Sequence, residues 1–199
     1  MRLSAIVLCG LALTSAAFAA DTGIRPADPL PLPAGVKIMF SPKDDIAGEI
    51  IRLINHANAE ILFNVHAITN PRIAQALVTA FADRKVYVAG LMDSDPPITN
   101  YTTPGYFTLN KLPYAYPRGD GISDNRYIVI DRQIVVTGSY DWTMSSQTKN
   151  HDNILEITEP SIALRYVKHF LIELHNSDLP QAAADSQSPS PAATQAQTP

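Results

Sequence analysis

Residues 124–143 read DNRYIVIDRQIVVTGSYDWT. This stretch contains two short runs, residues 127–130 and 134–137, in which β-branched and aromatic residues dominate. Such runs are typical of β-strands. Only Asp131, Arg132 and Gln133 separate them, so the pattern predicts two tightly joined strands. Asp131 is expected to shape the turn rather than to take part in chemistry.

Upstream of this stretch, strand patterns alternate with helix patterns. Apolar runs at residues 36–40, 61–65 and 86–91 predict strands, and apolar residues at helical spacing lie between them. The first helix is expected to begin within residues 41–44. The second is expected to begin at Asn70-Pro71, a capping residue followed by the proline that favours a first helical position. This order predicts an α/β fold with a mixed, largely parallel sheet and helices on both faces.

Downstream, the pattern predicts one more strand and a closing helix. Residues 153–157 form the apolar run of the strand. Residues 160–175 carry an amphipathic stripe of Ile162, Tyr166, Phe170 and Leu174. Residues 93–121 are rich in Pro, Gly, Tyr and Thr and are expected to be mostly loop, with one short helix near 106–111. Long loops of this kind often cover a site.

The two ends of the chain are predicted to lie outside the folded domain. Arg2, the apolar run at 3–13 and Ala17-Phe18-Ala19 predict a secretory signal peptide over residues 1–19. This apolar run is too short for a transmembrane helix. Residues 20–34 are predicted to form a proline-rich extended arm, and residues 179–199 an Ala/Ser/Gln/Pro tail that cannot fold. One domain, residues 35–178, remains, and the protein is expected to be periplasmic or secreted.

Composition excludes several classes of protein. The chain has 199 residues, 46% of them hydrophobic, which is enough to bury a core. Its 15 Lys and Arg against 19 Asp and Glu give a net charge of −4, which argues against an open, nonspecific nucleic-acid binder. Cys9 is the single cysteine, so a disulfide framework and a zinc finger are excluded. Because Cys9 lies in the predicted signal peptide, the mature chain suits an oxidising compartment.

The spacing within residues 124–143 resembles the motif of the phospholipase D superfamily, in its short bacterial nuclease-like branch. That motif is His-x-Lys, four residues, Asp, six residues, and Gly-Ser-x-Asn. Asp131 stands at the motif Asp, and Gly138-Ser139 is the Gly-Ser pair. Three positions differ, since the chain has Asp124 for the His, Arg126 for the Lys and Asp141 for the Asn.

The resemblance extends beyond the motif to the whole predicted domain. Phe40-Ser41-Pro42, residues 59–93 and residues 149–153 are also similar to that branch. In the family, a carboxylate near the last of these segments orients the His, and Asp152 stands in its place. The resemblance therefore implies a site formed by Asp124, Arg126, Ser139, Asp141 and Asp152.

The resemblance also implies a mechanism and an assembly. In the family the motif His attacks phosphorus to form a phospho-histidine, a second His protonates the leaving oxygen, and Lys, Asn and Ser hold the phosphate. One motif supplies half a site, so a homodimer about a two-fold axis is implied. The implied ligand is a phosphodiester of nucleic acid or phospholipid. Neither a cofactor nor a metal is expected from the family mechanism. A separate hypothesis is that two copies of Asp124, Asp141 and Asp152, brought together by the dimer, would favour a hard divalent cation such as Ca²⁺ or Mg²⁺.

The three departures change this chemistry. An imidazole with a pKa near 6.5 can attack and then donate a proton at neutral pH, whereas an Asp with a pKa near 3.9 stays ionised. Asp124, Asp141 and Asp152 would face the phosphodiester anion with Arg126 as the offsetting cation. Each like-charge pair at about 4 Å costs about 4 kcal/mol at an effective dielectric constant near 20. The sequence therefore favours a degenerate site with little or no turnover and a binding or regulatory role.

Other interpretations stay open at this stage. The chain could be an active phosphodiesterase that uses a carboxylate nucleophile, or one that uses a displaced histidine, His66 or His151. It could also be a regulatory subunit that pairs with an intact family member. Locally, Asp124 and Arg126 could be an ion pair that caps a strand, and Ser139 an ordinary turn residue. Trp142 is expected to pack in the core or at its rim.

Overall fold

The strands and helices follow the predicted order through most of the chain. The computed structural model describes residues 30–93, 103–119 and 123–179. The predicted signal peptide, the arm before residue 30 and the tail beyond residue 179 lie outside these described residues, as do parts of the predicted loop at 94–102 and 120–122. The elements, in chain order, are β1 (Val36–Phe40), α1 (Ile46–His56), β2 (Glu60–Val65), α2 (Pro71–Ala82), β3 (Tyr87–Met92), α3 (Thr103–Leu109), β4 (Tyr114–Pro117), β5 (Arg126–Ile130), β6 (Ile134–Gly138), α4 (Met144–Thr148), β7 (Asn153–Thr158), α5 (Pro160–His175) and β8 (Ser177–Asp178).

Side-chain caps fix where the first two helices begin. The Asp45 carboxylate accepts a hydrogen bond from the backbone N–H of Gly48 at 3.0 Å, so α1 begins after Asp45. This is just after the segment 41–44 that the sequence favoured. Asn70 accepts from the backbone N–H of Arg72 at 3.1 Å, and Pro71 is the first residue of α2. The prediction for α2 is therefore confirmed.

All eight strands form one mixed sheet in the order β1-β7-β6-β5-β2-β3-β4-β8. The prediction of a mixed α/β fold is confirmed, but "largely parallel" is wrong for the strand pairs. Only β2–β3 and β3–β4 are parallel, and the other neighbours are antiparallel. One reason is that residues 131–133 alone join β5 to β6, a connection too short for parallel neighbours. β7 is also antiparallel to β6, although residues 139–152, which include α4, separate the two strands in the chain.

The position of β1 also makes the sheet less parallel than the sequence predicted. The alternation of strands and helices implied that the first strands are parallel, but β1 lies at the sheet edge, antiparallel to β7. Residues 61–65 of β2 are all buried, whereas no residue of β1 is buried. A strand that is apolar on both faces stabilises the sheet most at its centre, so the partly polar β1 occupies the edge.

Helices cover both faces of this sheet. On one face, α1, α2 and α3 pack on the larger core, whose centre includes Phe63 and Phe107. On the other face, α5 packs through Ala163, Val167 and Phe170 on a smaller core. The predicted inward stripe of α5 is confirmed, because Ile162, Tyr166 and Leu174 also pack there.

Three short elements were missing from the sequence prediction. β4 lies in the segment predicted as loop, where it pairs with β3 and buries Tyr114. The others are α4 and the two-residue β8. Their sequences are too short for a periodic pattern, so tertiary pairing decides their conformation.

Candidate functional site

The motif positions lie at the open end of the β5–β6 hairpin. Arg126 begins β5 and pairs in register with Val65, the last residue of β2. Gly138 ends β6 and pairs with Ile154 of β7. The ends of β2 and β6 and the starts of β5 and β7 therefore meet at one edge of the sheet. The five site residues that the sequence singled out all belong to this edge, where they form two groups.

In the first group, the Arg126 guanidinium lies between two carboxylates. Its Nε donates to Asp141 Oδ1 at 2.6 Å, and its Nη2 is 2.7 Å from Asp124 Oδ1. Nη1 also donates to the backbone oxygen of Asp124 at 3.2 Å. The hydrogen bond to Asp141 is the main reason why the pKa of Arg126 is raised, although partial burial opposes the shift. The side chain of Arg126 is 20% exposed, whereas that of Asp124 is 67% exposed.

In the second group, Ser139 is bound to Asp152. The Ser139 hydroxyl donates to Asp152 Oδ1 at 3.0 Å and accepts from the backbone N–H of Asn153 at 3.1 Å. Asp152 Oδ2 is buried and has no hydrogen-bond partner among the described residues. The hydroxyl of Ser139 is therefore engaged by a carboxylate of its own chain.

Ser41 holds the backbone of Asp152, a contact that the motif spacing did not reveal. The backbone N–H of Ser41 donates to the carbonyl oxygen of Asp152 at 2.9 Å, and the backbone N–H of Asp152 donates to Ser41 Oγ at 3.1 Å. Ser41 is buried. The likeness of Phe40-Ser41-Pro42 to the family was the sequence signal that could have indicated this contact.

Glycine is required at position 138 because β7 passes so close. A Cβ atom on Gly138 would lie 2.2 Å from the carbonyl oxygen of Asn153, far inside van der Waals contact. The same carbonyl accepts from the backbone N–H of Ser139 at 3.1 Å. The Gly-Ser pair thus places Ser139 directly against the start of β7.

Asp131, at the closed end of the hairpin, is structural, as the sequence predicted. Its carboxylate accepts three backbone hydrogen bonds, from Asn58, Ala59 and Glu60, at 2.8–2.9 Å. Partial burial works against its ionisation, but the backbone hydrogen bonds from Glu60, Asn58 and Ala59 outweigh burial and lower the pKa of Asp131. Asp131 therefore joins the hairpin turn to the start of β2.

His66 belongs to a polar network on the α5 side of the sheet. Its Nδ1 lies 3.2 Å from Asp93 Oδ2, which also accepts from the backbone N–H of Ser123 at 3.2 Å. The Ser123 hydroxyl lies 3.4 Å from Asn64 Oδ1, and Asn64 Nδ2 donates to Glu173 of α5. Of the residues in this network, only His66 had been singled out as a candidate from the sequence.

The network places His66 on the opposite side of the sheet from the Arg126 group. Neighbouring residues of a strand point to opposite faces. Val65, the partner of Arg126, packs on the α1 side, and Asn64 contacts α5. His66 comes two residues after Asn64 and therefore lies on the same side of the sheet as Asn64. His151, the other histidine considered as a replacement, is exposed beside Asp152.

Trp142 packs in the core and fixes the segment that follows Asp141. Its ring lies 5.5 Å from that of Phe63, and its side chain is almost fully buried. Its carbonyl oxygen accepts backbone hydrogen bonds from Thr69 and Asn70, each at 3.0 Å. The prediction of core packing is confirmed. Because Asp141 directly precedes Trp142 in the chain, these contacts also hold the carboxylate of Asp141 against Arg126.

The described residues contain neither a metal-binding cluster nor a helix that could span a membrane. Within residues 30–93, 103–119 and 123–179, no group of three or more His, Cys, Asp or Glu side chains could hold a metal ion. Over the same part of the chain, no helix has both the length and the hydrophobicity that crossing a bilayer requires.

The chain has a mixed sheet with helices on both faces and a single motif at the open end of the β5–β6 hairpin. This arrangement is that of the phospholipase D-like class of phosphodiesterases. The family described as "Cardiolipin synthase, PLD-like domain" matches residues 50–173, which is more than half of the chain. The chain therefore belongs to this family of the phospholipase D superfamily.

Individual relatives agree with this assignment. The chain is 26% identical over 136 residues to a phospholipase D of Rickettsia bellii, covering 68% of this chain and 67% of the relative. The crystal structure of Nuc from Salmonella typhimurium superposes with a TM-score of 0.66 at 24% identity, over 73% of this chain and 97% of Nuc. NucT from Helicobacter pylori gives 0.63 at 20% identity, over 72% and 98%. The two structures show that the fold is shared.

Proposed function

We propose that this chain is a secreted phospholipase D-like protein whose motif has lost ordinary phosphodiesterase turnover and that acts by binding or regulation. The observation that carries the proposal is the pairing of Arg126 with Asp124 and Asp141. A phosphodiester anion would have to displace one of these carboxylates from the guanidinium. The Ser139 hydroxyl is likewise engaged by Asp152.

The missing imidazole supports the same conclusion. Asp124 stands at the position of the motif His and is largely exposed. The imidazole that would donate a proton to the leaving oxygen in the family mechanism is therefore missing from this position. The carboxylate of Asp124 would also repel the phosphodiester that it had to attack. Asp124, Arg126, Ser139, Asp141 and Asp152 are therefore proposed as the remnant of a catalytic site.

The proposal includes a homodimer that shares this site. The chain has one copy of the motif, which supplies half of a two-histidine site in the family that it resembles. A two-fold axis near the open end of the hairpin would bring two remnants together. Secretion rests on the predicted signal peptide at residues 1–19. A regulatory pairing with an intact family member is compatible with the same surface.

The test is hydrolysis of bis-p-nitrophenyl phosphate by the mature chain, which begins at Ala20. We expect no rate above background from the wild-type protein. The triple substitution Asp124→His, Arg126→Lys and Asp141→Asn is expected to raise the rate, because it restores the imidazole, the cation and the amide donor. Circular dichroism and light scattering on each variant verify the fold and the dimer.

A matched single variant separates the proposal from its alternative. Wild-type turnover that disappears in Asp124→Ala would identify an active phosphodiesterase with a carboxylate nucleophile and would refute the proposal. A folded, dimeric triple variant that stays inert would show that loss of the motif residues alone does not explain the inactivity. A monomer in light scattering would remove the shared site.

A further inference from the structure

Helix α5 is apolar on its outer face as well as on its inner face. Inward, Ala163, Val167 and Phe170 pack against the sheet. Outward, Leu164, Leu171 and Ile172 are 50%, 53% and 53% exposed. Scattered exposed aliphatic side chains are ordinary, but a cluster on one helix face marks an interaction surface. We call these three side chains, together with Arg165 and Lys168, the outer face of α5.

The outer face of α5 is cationic, although the chain is acidic overall. Arg165 and Lys168 are exposed and interleave with the aliphatic residues. The single carboxylate of α5, Glu173, turns inward and accepts a hydrogen bond from Asn64. This local positive charge contrasts with the net charge of −4 for the chain.

The surface forms a shallow depression of about 440 Å³, lined by the three aliphatic residues together with Lys168 and His175 among others. Glu173, on the inner side of the same helix, is within hydrogen-bond distance of Asn125, at 3.5 Å. The outer face of α5 points away from the sheet and is separate from the Arg126 group, which lies on the α1 side of the sheet.

We propose that the outer face of α5 docks on an anionic lipid bilayer surface. Aliphatic tips surrounded by Arg and Lys match a membrane interface, where apolar side chains enter the acyl boundary and cations contact the headgroups. A second copy of this chain fits less well. A two-fold contact would place the same patch against itself and bring the cations of one copy against those of the other. The inference rests on the proposed binding role and names the surface that is bound.

The test is co-sedimentation of the mature chain with vesicles. One set contains phosphatidylcholine alone, and the other contains equal parts of phosphatidylcholine and phosphatidylglycerol. We expect binding to the anionic vesicles, little binding to the zwitterionic ones, and a marked loss of binding when the salt concentration is raised. Vesicle binding is measured without any hydrolysis, so the outcome is independent of the phosphodiesterase assay.

Variants assign the binding to the outer face of α5. The double substitution Leu171→Ser and Ile172→Ser is expected to lower the partition coefficient about tenfold, because two half-exposed aliphatic side chains no longer enter the interface. Lys168→Glu is expected to weaken binding to anionic vesicles about fivefold and to leave the zwitterionic result unchanged. The matched control is Leu109→Ser, at an aliphatic residue of α3 that is 62% exposed, and it should bind like the wild type.

Three outcomes would overturn the proposal. The first is an absence of binding to the anionic vesicles. The second is equal binding by the wild type and the α5 variants. The third is a change from dimer to monomer in the Leu171→Ser and Ile172→Ser variant with vesicle binding retained, which would make the outer face a contact between copies. The substituted residues are exposed, and thermal melting by circular dichroism verifies that each variant is folded.

Discussion

The two ends of the β5–β6 hairpin use the same pair of residue types for different purposes. At the closed end, Asp131 binds three backbone N–H groups and the neighbouring Arg132 binds Glu60. At the open end, Arg126 binds the carboxylates of Asp124 and Asp141. At the closed end, the carboxylate of Asp131 joins the hairpin turn to the backbone at the start of β2. At the open end, the contacts of Arg126 are mainly with other side chains of the motif.

The difference shows why the residue type alone does not reveal a role. The backbone groups that bind Asp131 cannot move away without breaking the start of β2, so this carboxylate contributes to folding. The partners of Arg126 are mainly side chains, so a substitution at one of them removes a side-chain contact and leaves the backbone hydrogen bonds of the hairpin in place. The open end could therefore change its charges while the fold remained.

The largest expected effect is at the closed end. Asp131→Ala is expected to lower the free energy of unfolding by about 2–3 kcal/mol, because three backbone donors lose a charged acceptor. Urea denaturation followed by circular dichroism measures this change. Asp131→Asn keeps one oxygen acceptor and serves as the control, with a smaller loss. An Asp131→Ala variant as stable as the wild type would show that the turn does not depend on this carboxylate.

The same carboxylate predicts a pH dependence. The folded-state pKa of Asp131 is lowered, so the stability that it contributes is complete above its unfolded pKa, near 3.9, and is lost as the pH falls through the lower folded value. The stability difference between the wild type and Asp131→Asn should therefore be constant from pH 7 to about 5 and narrow below about 4. A difference that widened on acidification would contradict this sign.

The open end is expected to respond less. Arg126→Met removes the cation that faces Asp141 at partial burial, and we expect a loss of about 1 kcal/mol in the free energy of unfolding. When Asp141→Ala is added, the second loss should be smaller than the loss from Asp141→Ala alone, because the pair is already broken. Strictly additive losses would show that the two side chains do not interact in solution.

The smallest expected effect is at Arg132. Its guanidinium binds both oxygens of Glu60, each at 2.9 Å, but the pair is exposed. Arg132→Met should leave the urea midpoint unchanged within error, in low and in high salt alike. A clear shift of the midpoint would mean that the closed end depends on this ion pair as well as on Asp131.

Much of the fold followed from local pattern. The start of α2, the bounds of α5, the strands of the hairpin and the inward stripe of α5 could be predicted because caps and periodic apolar residues act within a few positions of the chain. The motif spacing likewise predicted that residues 124–143 would gather at one place. The strand order could not be predicted in this way, because β1 and β7 are neighbours only in the folded sheet.

The family, most of the helices and strands, and the identity of the motif positions follow from the sequence. The tertiary structure was needed to show that Arg126 is held by Asp141, that Ser139 is bound by Asp152 and that His66 lies on the α5 side with Asp93. Those contacts join residues that are many positions apart, and their geometry depends on strand register and on which face each side chain occupies. Local propensity carries no information about either.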